Sequence, residues 1–351
     1  MAKHDFKNSK SKWMEGLGPQ DDIVLTSRIR LARNLQNLPF PHLLDEAKEK
    51  EVVQLVSQAI TTRQFSDQFG ETAVWQLEEL SPLEKQILVE KHLISPDFAE
   101  RSKGAVVLNR DESISIMINE EDHLRIQILL PAFQLGAAWE LANKLDDALE
   151  EKLDFAFNEN RGYLTACPTN LGTGLRASVM LHLPALVMAR QEKVIFNSLT
   201  KLGLTVRGFY GEGSDVQSNL YQISNQITLG LTENEIINNL VAVAQQLIDR
   251  EKAARNLLNE ELTYRMEDQA LRAYGILSNA RILSSEEALN LLSDLRLGID
   301  LKIVNDVDYR VFNELIALIQ PGILQGRAGK EMTARDRDLK RAEIIKEKLK
   351  V

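Results

Sequence analysis

The chain has very few cysteines, and this limits the chemistry it can use. Cys167 is the only cysteine among 351 residues, so an intrachain disulfide and a cysteine-based zinc site are both excluded. A lone thiol is typical of proteins that fold in a reducing compartment. Long apolar runs are also absent: the most apolar stretch, 128–142, contains Pro131 and Gln134 and is too short to span a bilayer. The first residues lack the apolar core of a secretion signal. We therefore expect a cytoplasmic protein without membrane contact.

Positive charge is in the minority. The chain has 42 Lys and Arg residues against 51 Asp and Glu residues, a formal net charge of −9. No run of basic residues offers the dense face that nucleic acid phosphates need, so we expect no direct binding of nucleic acid. A hydrophobic content of 44% and a charged content of 26% are typical of a globular protein. The length indicates two domains.

The first part of the chain mixes strand patterns with helix patterns. Alternation of apolar and polar residues predicts strands at 24–31, 105–109, 113–119, 124–128, 153–157, 164–166, 204–209 and 220–227. The short link Arg110-Asp111-Glu112 predicts a hairpin between two of these strands. Helical spacing predicts helices at 45–62, 132–152, 184–202 and 232–259.

The last part of the chain has helical spacing alone, at 262–277, 284–295, 309–319 and 332–349. Thr232 with Glu235, and Ser284 with Glu287, have the spacing of a capping box at a helix start. We predict an α+β domain over residues 1–258 and a separate all-helical domain over residues 259–351.

Arginines are the first candidates for chemistry. An extended segment at 24–31 puts Thr26, Arg28 and Arg30 on one face and Leu25, Ile29 and Leu31 on the other. Adjacent guanidiniums on one face repel each other unless an anion lies between them. The planar fork of arginine suits phosphate, although a surface salt bridge is the alternative for each residue alone. Three more arginines have similar settings: Arg125, Arg176 and Arg207.

Carboxylates form a second group of candidates. Glu120, Glu121 and Asp122 lie between two predicted strands, and such clustering is costly unless cations or a substrate offset it. Glu212 lies in a loop whose glycines permit unusual backbone angles. Two separated carboxylates near an arginine cluster could hold a cationic nucleophile against an anionic donor. Each carboxylate taken alone could equally belong to a solvated turn.

The segment after Cys167 reads Cys-Pro-Thr-Asn-Leu-Gly-Thr-Gly-Leu-Arg. It could be a loop that approaches phosphate, but it matches neither the P-loop nor the dinucleotide-binding fingerprint. Cys167 itself could be a small buried apolar residue or a thiolate stabilised by nearby cations.

Taken together, these motifs resemble the guanidino-kinase (phosphagen kinase) family, which includes the creatine and arginine kinases. The resemblance rests on four segments in the same order. They are Ser27-Arg28-Ile29-Arg30, the Asn-Glu-Glu-Asp-His-Leu-Arg run that begins at Asn119, the Cys167 segment, and Arg207-Gly208 with Gly211-Glu212.

In two features the sequence departs from the phosphagen kinases and resembles one branch of that family, the bacterial protein arginine kinases (the McsB family). The helical N-terminal domain of phosphagen kinases is missing, and a helical C-terminal extension is present. Met180 and Tyr210 stand where many phosphagen kinases have a histidine and an arginine. In the extension, Arg337-Asp338-Leu339-Lys340-Arg341-Ala342 resembles the RDxxRA motif, which that branch uses to recognise phosphoarginine and for allosteric control. A solvated helix face is the alternative.

The resemblance implies an antiparallel sheet flanked by helices and an ATP- and Mg²⁺-dependent kinase that phosphorylates arginine side chains in proteins. Nucleotide binding would fall to Arg28, Arg30, Arg125, Arg176 and Arg207, with Ser27 and Ser178. The guanidinium would be positioned by Glu121, Glu212, Cys167 and Asn170. Of these, Glu121, Glu212 and Cys167 would be catalytic, while Glu120 could reach magnesium through water.

The resemblance also implies partners. They are a homodimer mate, a zinc-binding activator protein, a heat-shock repressor among the substrates, and a Clp ATPase–protease that degrades marked proteins. Two alternatives remain open at this point. One is a small-molecule guanidino kinase that makes a phosphagen, and the other is an adaptor that mainly presents partners to a protease.

Overall fold

The computed structural model describes residues 5–208, 218–257 and 260–349. The strands in these ranges are β1 (Val24–Arg33), β2 (Thr72–Gln76), β3 (Ala105–Asn109), β4 (Ile114–Ile118), β5 (Leu124–Pro131), β6 (Phe157–Asn158), β7 (Gly162–Tyr163), β8 (Leu175–His182), β9 (Leu204–Arg207) and β10 (Leu220–Asn225). The α-helices are α1 (Glu46–Ile60), α2 (Arg63–Phe69), α3 (Pro82–Glu90), α4 (Pro96–Ala99), α5 (Leu135–Glu150), α6 (Pro184–Met188), α7 (Glu192–Lys201), α8 (Glu233–Asn256), α9 (Glu260–Asn279), α10 (Ser285–Asp300), α11 (Val311–Leu318), α12 (Pro321–Ala328) and α13 (Ala334–Leu349).

Eight strands form one sheet in the order β2-β3-β4-β5-β1-β8-β10-β9, and every neighbouring pair is antiparallel. The antiparallel sheet flanked by helices is therefore confirmed, as is the hairpin between β3 and β4. β6 and β7 form a separate short hairpin. No helix among the described residues is long and apolar enough to cross a membrane.

The two faces of the sheet have different partners. One face carries residues such as Ile29, Ile116 and Val179, and packs against α1, α5 and α8 in the larger hydrophobic core. The opposite face is divided along the strands. At one end, apolar residues such as Leu129 and Met180 belong to a second core together with side chains from the C-terminal helices. The other end of this face carries the arginines.

The C-terminal helices contact the sheet through polar groups as well. His182 of β8 bonds to the Ser293 hydroxyl of α10 at 2.8 Å. Arg255 of α8 and Arg296 of α10 both pair with Asp300. The predicted boundary at 258/259 falls between α8 and α9, at residues outside the described ranges. The division into two domains stays a prediction, and the two regions share a buried core.

Local signals predicted most elements, with several corrections. Thr232 and Glu235 form the predicted capping box, whereas Ser284 accepts from the Glu287 amide without the reciprocal bond.

The predicted strands 153–157 and 164–166 are wrong, because this segment pairs irregularly and forms only the two-residue strands β6 and β7. The predicted helix 184–202 is interrupted at Arg190, whose φ of +55° is incompatible with a continuous helix. An irregularity between Val24 and Thr26 moves Leu25 into the second core. Seven of the strands and α-helices lie outside every predicted range: β2, β7, β8, α2, α3, α4 and α12.

Arg33, at the end of β1, is a buried structural arginine. It is 1% exposed, and its guanidinium bonds both carboxylate oxygens of Asp146 on α5 and the carbonyl oxygen of Thr173. It also lies 3.5 Å from the ring centroid of Tyr163. Burial raises the pKa of Asp146, and Arg33 opposes this rise. The pair therefore ties β1 to α5 and to the loop before β8.

We predict that Arg33→Met destabilises the protein by about 3–5 kcal/mol, because it leaves the Asp146 carboxylate buried without a counter-charge. Urea unfolding measures the change. Arg63→Met is the control, since Arg63 and Asp67 form an ion pair with side chains 94% and 72% exposed; this change should stay within about 0.5 kcal/mol. Equal losses in the two variants would contradict the structural role of Arg33.

Candidate active site

Strand register brings the predicted arginines onto one face of the sheet. In the antiparallel pairing, Arg30 lies opposite Arg176 of β8 and Gln127 of β5. Side chains of directly opposite residues share a face, and so do side chains two residues apart in one strand. By this register, the face that carries Arg30 also carries Arg28, Arg125 and Arg207. Five guanidiniums from four strands, β1, β5, β8 and β9, therefore face the same space.

The electrostatic consequences are large for the two arginines of β1. Burial, followed by the charges of Arg125, Arg176 and Arg207, lowers the pKa of Arg28 to about 9. Burial and three neighbouring guanidiniums also lower the pKa of Arg30, and Glu120 offsets part of this effect. The positive charges of Arg28 and Arg30 are therefore unfavourable in the protein without a ligand. An anion of high charge would relieve the repulsion.

Several of these guanidiniums are held by neutral groups. Arg28 donates to the Ser178 hydroxyl at 3.3 Å and to the Gln222 amide oxygen at 2.6 Å. Arg176 donates to the Ser224 hydroxyl at 3.4 Å. The Nε atom of Arg30 is buried and has no hydrogen-bond partner among the described residues. Neutral partners orient the guanidiniums without cancelling their charge, which suits a site for phosphate groups.

The two predicted serines have different positions. Ser178 lies on the arginine face and contacts Arg28. Ser27 has the opposite strand parity, and its buried hydroxyl donates to the carbonyl oxygen of Ala132 and accepts from the amide of Gln134. The structure therefore does not bring Ser27 to the arginine face. Adjacent residues of a strand point to opposite faces, so Ser27 faces away from Arg28. The match to the family segment, made residue by residue, did not take this alternation into account.

The acidic turn between β4 and β5 lies beside the arginines. Asn119 begins it with a φ of +62°, and its amide group donates to the Glu49 carbonyl oxygen. Glu120 is buried and accepts from Arg125 and from the Ser95 hydroxyl. Burial raises the pKa of Glu120, but Arg125 and the hydrogen bonds outweigh burial, so the net pKa is lowered. Glu121 is exposed at the tip of the turn.

Two residues of the turn fix its position. His123 is buried; its Nδ1 accepts from the Leu35 amide, so its Nε2 must carry the proton that it donates to Pro39. Burial lowers the pKa of His123 to about 4, which keeps the ring neutral. Asp122 accepts from the Asn34 side chain at 2.6 Å and from the Ala166 amide at 2.7 Å.

The Asp122 contact joins the acidic turn to the Cys167 segment, because Ala166 is the residue before Cys167. The Cys167 thiol is partly exposed and lies 3.0 Å from the Thr169 hydroxyl. A short 3-10 turn, Pro168–Asn170, follows it, and Asn170 is partly exposed. One buried carboxylate thus places Glu121 and Cys167 on adjoining loops.

The two glycines of this loop allow close approach to protein backbone. A Cβ at Gly172, with φ of +107°, would lie 2.4 Å from the Thr228 carbonyl oxygen. A Cβ at Gly174, with φ of +63°, would lie 2.6 Å from the Ala32 carbonyl oxygen. In the described structure these glycines seat the loop against β1 and against the segment after β10. The sequence pattern alone favoured an approach to phosphate.

Several features of the site had no prediction. A narrow cavity beside Arg28 is lined by Trp13, His92, Met180 and Gln222 among others. Strand register could have found Gln222, which lies opposite Arg207. His92 and Trp13 come from irregular segments and carried no pattern. Glu212 and Tyr210 lie outside the described residues.

The C-terminal motif lies on α13, away from the arginine face. Arg341 is 2% exposed; it donates to the carbonyl oxygens of Leu283 and Ile319 and pairs with Asp338. Ala342 is buried. Arg337 is only partly buried and donates to the Met332 carbonyl oxygen. Arg337 and Arg341 are four residues apart on one helix, where like charges repel, and Asp338 and carbonyl oxygens offset this repulsion.

Family models match both parts of the chain. The model described as "ATP:guanido phosphotransferase, C-terminal catalytic domain" matches residues 51–254. The model described as "Protein-arginine kinase McsB C-terminal domain" matches residues 263–351. With the antiparallel sheet and its arginine face, these matches define a guanidino phosphotransferase.

Curated relatives narrow the class. The protein-arginine kinase of Moorella thermoacetica is 58% identical over 340 residues, covering 97% of this chain and 97% of its own length. That of Bacillus subtilis is 48% identical over 355 residues, covering 99% and 95%. The chain belongs to the protein-arginine kinase family, and it catalyses phosphoryl transfer to arginine side chains of proteins.

Solved structures show the same fold. Lombricine kinase matches with a TM-score of 0.60 and 25% identity, over 74% of this chain and 73% of that chain. The duplicated taurocyamine kinase from Schistosoma mansoni, with bound transition-state-analogue components, has the same TM-score and identity over 70% of this chain and 34% of that chain. The expected guanidino-kinase fold is confirmed.

Proposed function

We propose that the arginine face binds the triphosphate of ATP and that the adjoining loops bind the acceptor arginine. The observation that carries this proposal is the set of five guanidiniums on one sheet face beside the linked Glu121 and Cys167 loops. Arg30, Arg125 and Arg176 lie nearest the acidic turn in the strand register, so they stabilise the phosphoryl group in transfer. Arg28 and Ser178 line the narrow cavity at the other end of the arginine face. Arg207 completes the cluster.

The acceptor guanidinium is held by carboxylates and by the thiol of the loop that carries Cys167. Glu121 is exposed at the tip of its turn, and Asp122 fixes that turn to the Cys167 segment. Cys167, as a thiolate, and Asn170 align the guanidinium. Glu212 is proposed as the second carboxylate from the family resemblance alone. The two reactants carry opposite charges, and each is oriented by groups of the sign opposite to its own.

The chemical step moves one phosphoryl group. A guanidino nitrogen attacks the γ-phosphorus, the new N–P bond forms, and the bond from that phosphorus to the β–γ bridging oxygen breaks. ADP leaves with the electron pair, and the nitrogen loses a proton, which Glu121 accepts.

Magnesium needs little from this chain. The described residues contain no group of three or more His, Cys, Asp and Glu side chains arranged to hold a metal ion. Phosphate oxygens and water supply most Mg²⁺ ligands in such sites. The Glu120 Oε2 atom accepts one hydrogen bond, from the Glu121 backbone amide, and can accept another from a bound water. When bound, the ion would neutralise charge on the phosphates.

We predict that Glu121→Gln lowers kcat for arginine phosphorylation roughly 100-fold, because the amide cannot accept the proton or balance the guanidinium charge. The KM for ATP should change little, because Glu121 does not face the triphosphate. A ³²P transfer assay on a protein substrate, with alkaline workup to preserve the N–P bond, measures the rate.

Glu78→Gln is the matched control, because Glu78 is an exposed glutamate of the connection between β2 and α3. It should retain the turnover of the unmodified enzyme. Normal turnover by Glu121→Gln would remove the proposed base.

We also propose that Arg337, Asp338 and Arg341 with Ala342 recognise phosphoarginine and control activity. Arg337 supports this role because it is partly exposed and close enough to Glu90 of α3 to influence the pKa of that carboxyl. Burial raises the pKa of Glu90, whose carboxylate oxygens accept hydrogen bonds from backbone amides at the start of α12. Arg341 supplies a rigid side of the proposed phosphoarginine site, because its contacts with Leu283, Ile319 and Asp338 hold α13 in place.

Arg337→Lys should weaken binding of free phosphoarginine about tenfold, because an ammonium cannot form the two parallel bonds of a guanidinium to phosphate. Arg335→Lys, an exposed arginine on the same helix, should leave binding unchanged. Calorimetry measures both, in a Glu121→Gln background that weakens binding of the product at the active site. Equal affinity for Arg337→Lys and Arg335→Lys would remove the second site.

The cellular setting follows the same family resemblance. We propose that the enzyme works in the cytoplasm, as the lone cysteine suggests, and phosphorylates a heat-shock repressor among other proteins. A zinc-binding activator protein would regulate it, and a Clp ATPase–protease would degrade the marked proteins. A homodimer would form through the helical region. Exposed apolar residues of α9, including Tyr264 and Leu271, support such an interface.

A further inference from the structure

Four exposed apolar side chains lie on segments that pack, directly or through one neighbour, against the loop that carries Cys167. They are Phe157, Leu202, Ile227 and Leu229, with exposed fractions of 53%, 67%, 49% and 53%. We call this group the apolar rim. Single exposed apolar residues are normal on a protein surface, but a group beside a functional loop calls for an explanation.

The rim is continuous because the backbones beneath it pack together. A Cβ at Gly162, in the hairpin of Phe157, would lie 2.4 Å from the Gly172 carbonyl oxygen. A Cβ at Gly172 would in turn lie 2.9 Å from the Leu229 Cα atom. At the far end, Ile227 packs over Gly203, the residue after Leu202. The rim therefore runs from the β6–β7 hairpin, past the Cys167 loop, to the end of α7.

Hydrogen bonds hold the rim in a fixed relation to the acceptor loop. The Thr228 hydroxyl donates to the carbonyl oxygens of Thr169 and Leu171, at 3.0 and 2.7 Å. The Thr173 amide donates back to the Thr228 carbonyl oxygen at 3.0 Å. Ile227 and Leu229 flank Thr228, so their side chains keep their position relative to Cys167.

We infer that the apolar rim binds apolar residues of the substrate polypeptide on either side of the acceptor arginine. An acceptor arginine in a protein carries its neighbours with it, at about 3.3 Å per residue in an extended chain. Those neighbours must lie on the surface around the acceptor loop, and the apolar rim is part of that surface. A free guanidino compound would make no use of it.

This contact defines the class of substrate. In a folded protein, apolar residues near an arginine are mostly buried and cannot reach the rim. In an unfolded or extended segment they are accessible together with the arginine. The rim therefore favours arginines in exposed, extended segments with apolar neighbours. This inference rests on the proposed placement of the acceptor guanidinium at the Cys167 loop.

Steady-state kinetics with two peptides and one small acceptor test the inference. One peptide has leucines flanking a single arginine, the second has serines at the same positions, and the small acceptor is N-acetylarginine amide. Leu229→Ser and Leu202→Ser alter the rim. Leu17→Ser is the matched control, because Leu17 is 46% exposed and lies in the segment that precedes β1, whereas the Gly174 loop adjoins the end of β1.

For the leucine peptide, each rim variant should raise KM roughly three- to tenfold with kcat unchanged, because the lost contact is made equally before and during the reaction. The serine peptide should already show the raised KM with the unmodified enzyme, and the rim variants should add little to it. Leu17→Ser should behave as the unmodified enzyme with every acceptor. Rates with N-acetylarginine amide should be the same in all of these proteins.

Equal KM values for the two peptides, or equal effects of Leu229→Ser and Leu17→Ser, would overturn the inference. A rim variant that also slows phosphorylation of N-acetylarginine amide would do so as well, because its effect would then lie in the catalytic loop. Leu202→Ser serves if Leu229→Ser fails to fold. Failure of the proposed catalytic site gives a different result, namely normal turnover by Glu121→Gln.

Discussion

Repulsion among five guanidiniums on one sheet face is the constraint on which the rest of this structure depends. Burial and neighbouring positive charges lower the pKa of Arg28 to about 9, so holding the charge there is costly before a ligand arrives. Glu120 pairs with Arg125 and offsets part of the charge, and the scaffold holds the arrangement in place. Strand pairing fixes the backbone, and hydroxyl and amide groups such as Ser178 and Gln222 orient the guanidiniums. In the proposed function, the triphosphate supplies further negative charge.

The same sheet face links the site to the rest of the chain. Its arginine end is the proposed site of the phosphates, while its apolar end, with Met180, is part of a core shared with the C-terminal helices. Asp122 joins the acidic turn to the Cys167 segment, so the donor side and the acceptor side form one unit. Glu90 contacts the start of α12, which brings a helix of the catalytic region against the region that carries Arg337. These contacts pack the helical region against the catalytic region.

Much of the fold followed from periodic patterns, because alternation within a strand fixes which side chains share a face. It predicted that Arg28 and Arg30 act together, and local spacing predicted the Asn119–His123 turn as a junction between strands. Family resemblance misplaced Ser27, whose side chain follows strand parity to the other face. The order of strands in the sheet depends on long-range pairing, so the approach of Arg176 to Arg30 had no local signal. The burial of Arg341 was equally hidden, because its partners are carbonyl oxygens of distant loops.

The most direct test of the charge constraint compares the stability of the unmodified protein and Arg30→Met, with and without ATP and Mg²⁺. Methionine keeps much of the side-chain volume and removes one buried positive charge. We predict that, without ligand, Arg30→Met is more stable than the unmodified protein, by about 1 kcal/mol in urea unfolding. We also predict that saturating ATP stabilises the unmodified protein strongly and the variant weakly. A less stable Arg30→Met without ligand, or equal stabilisation of both proteins by ATP, would contradict the account.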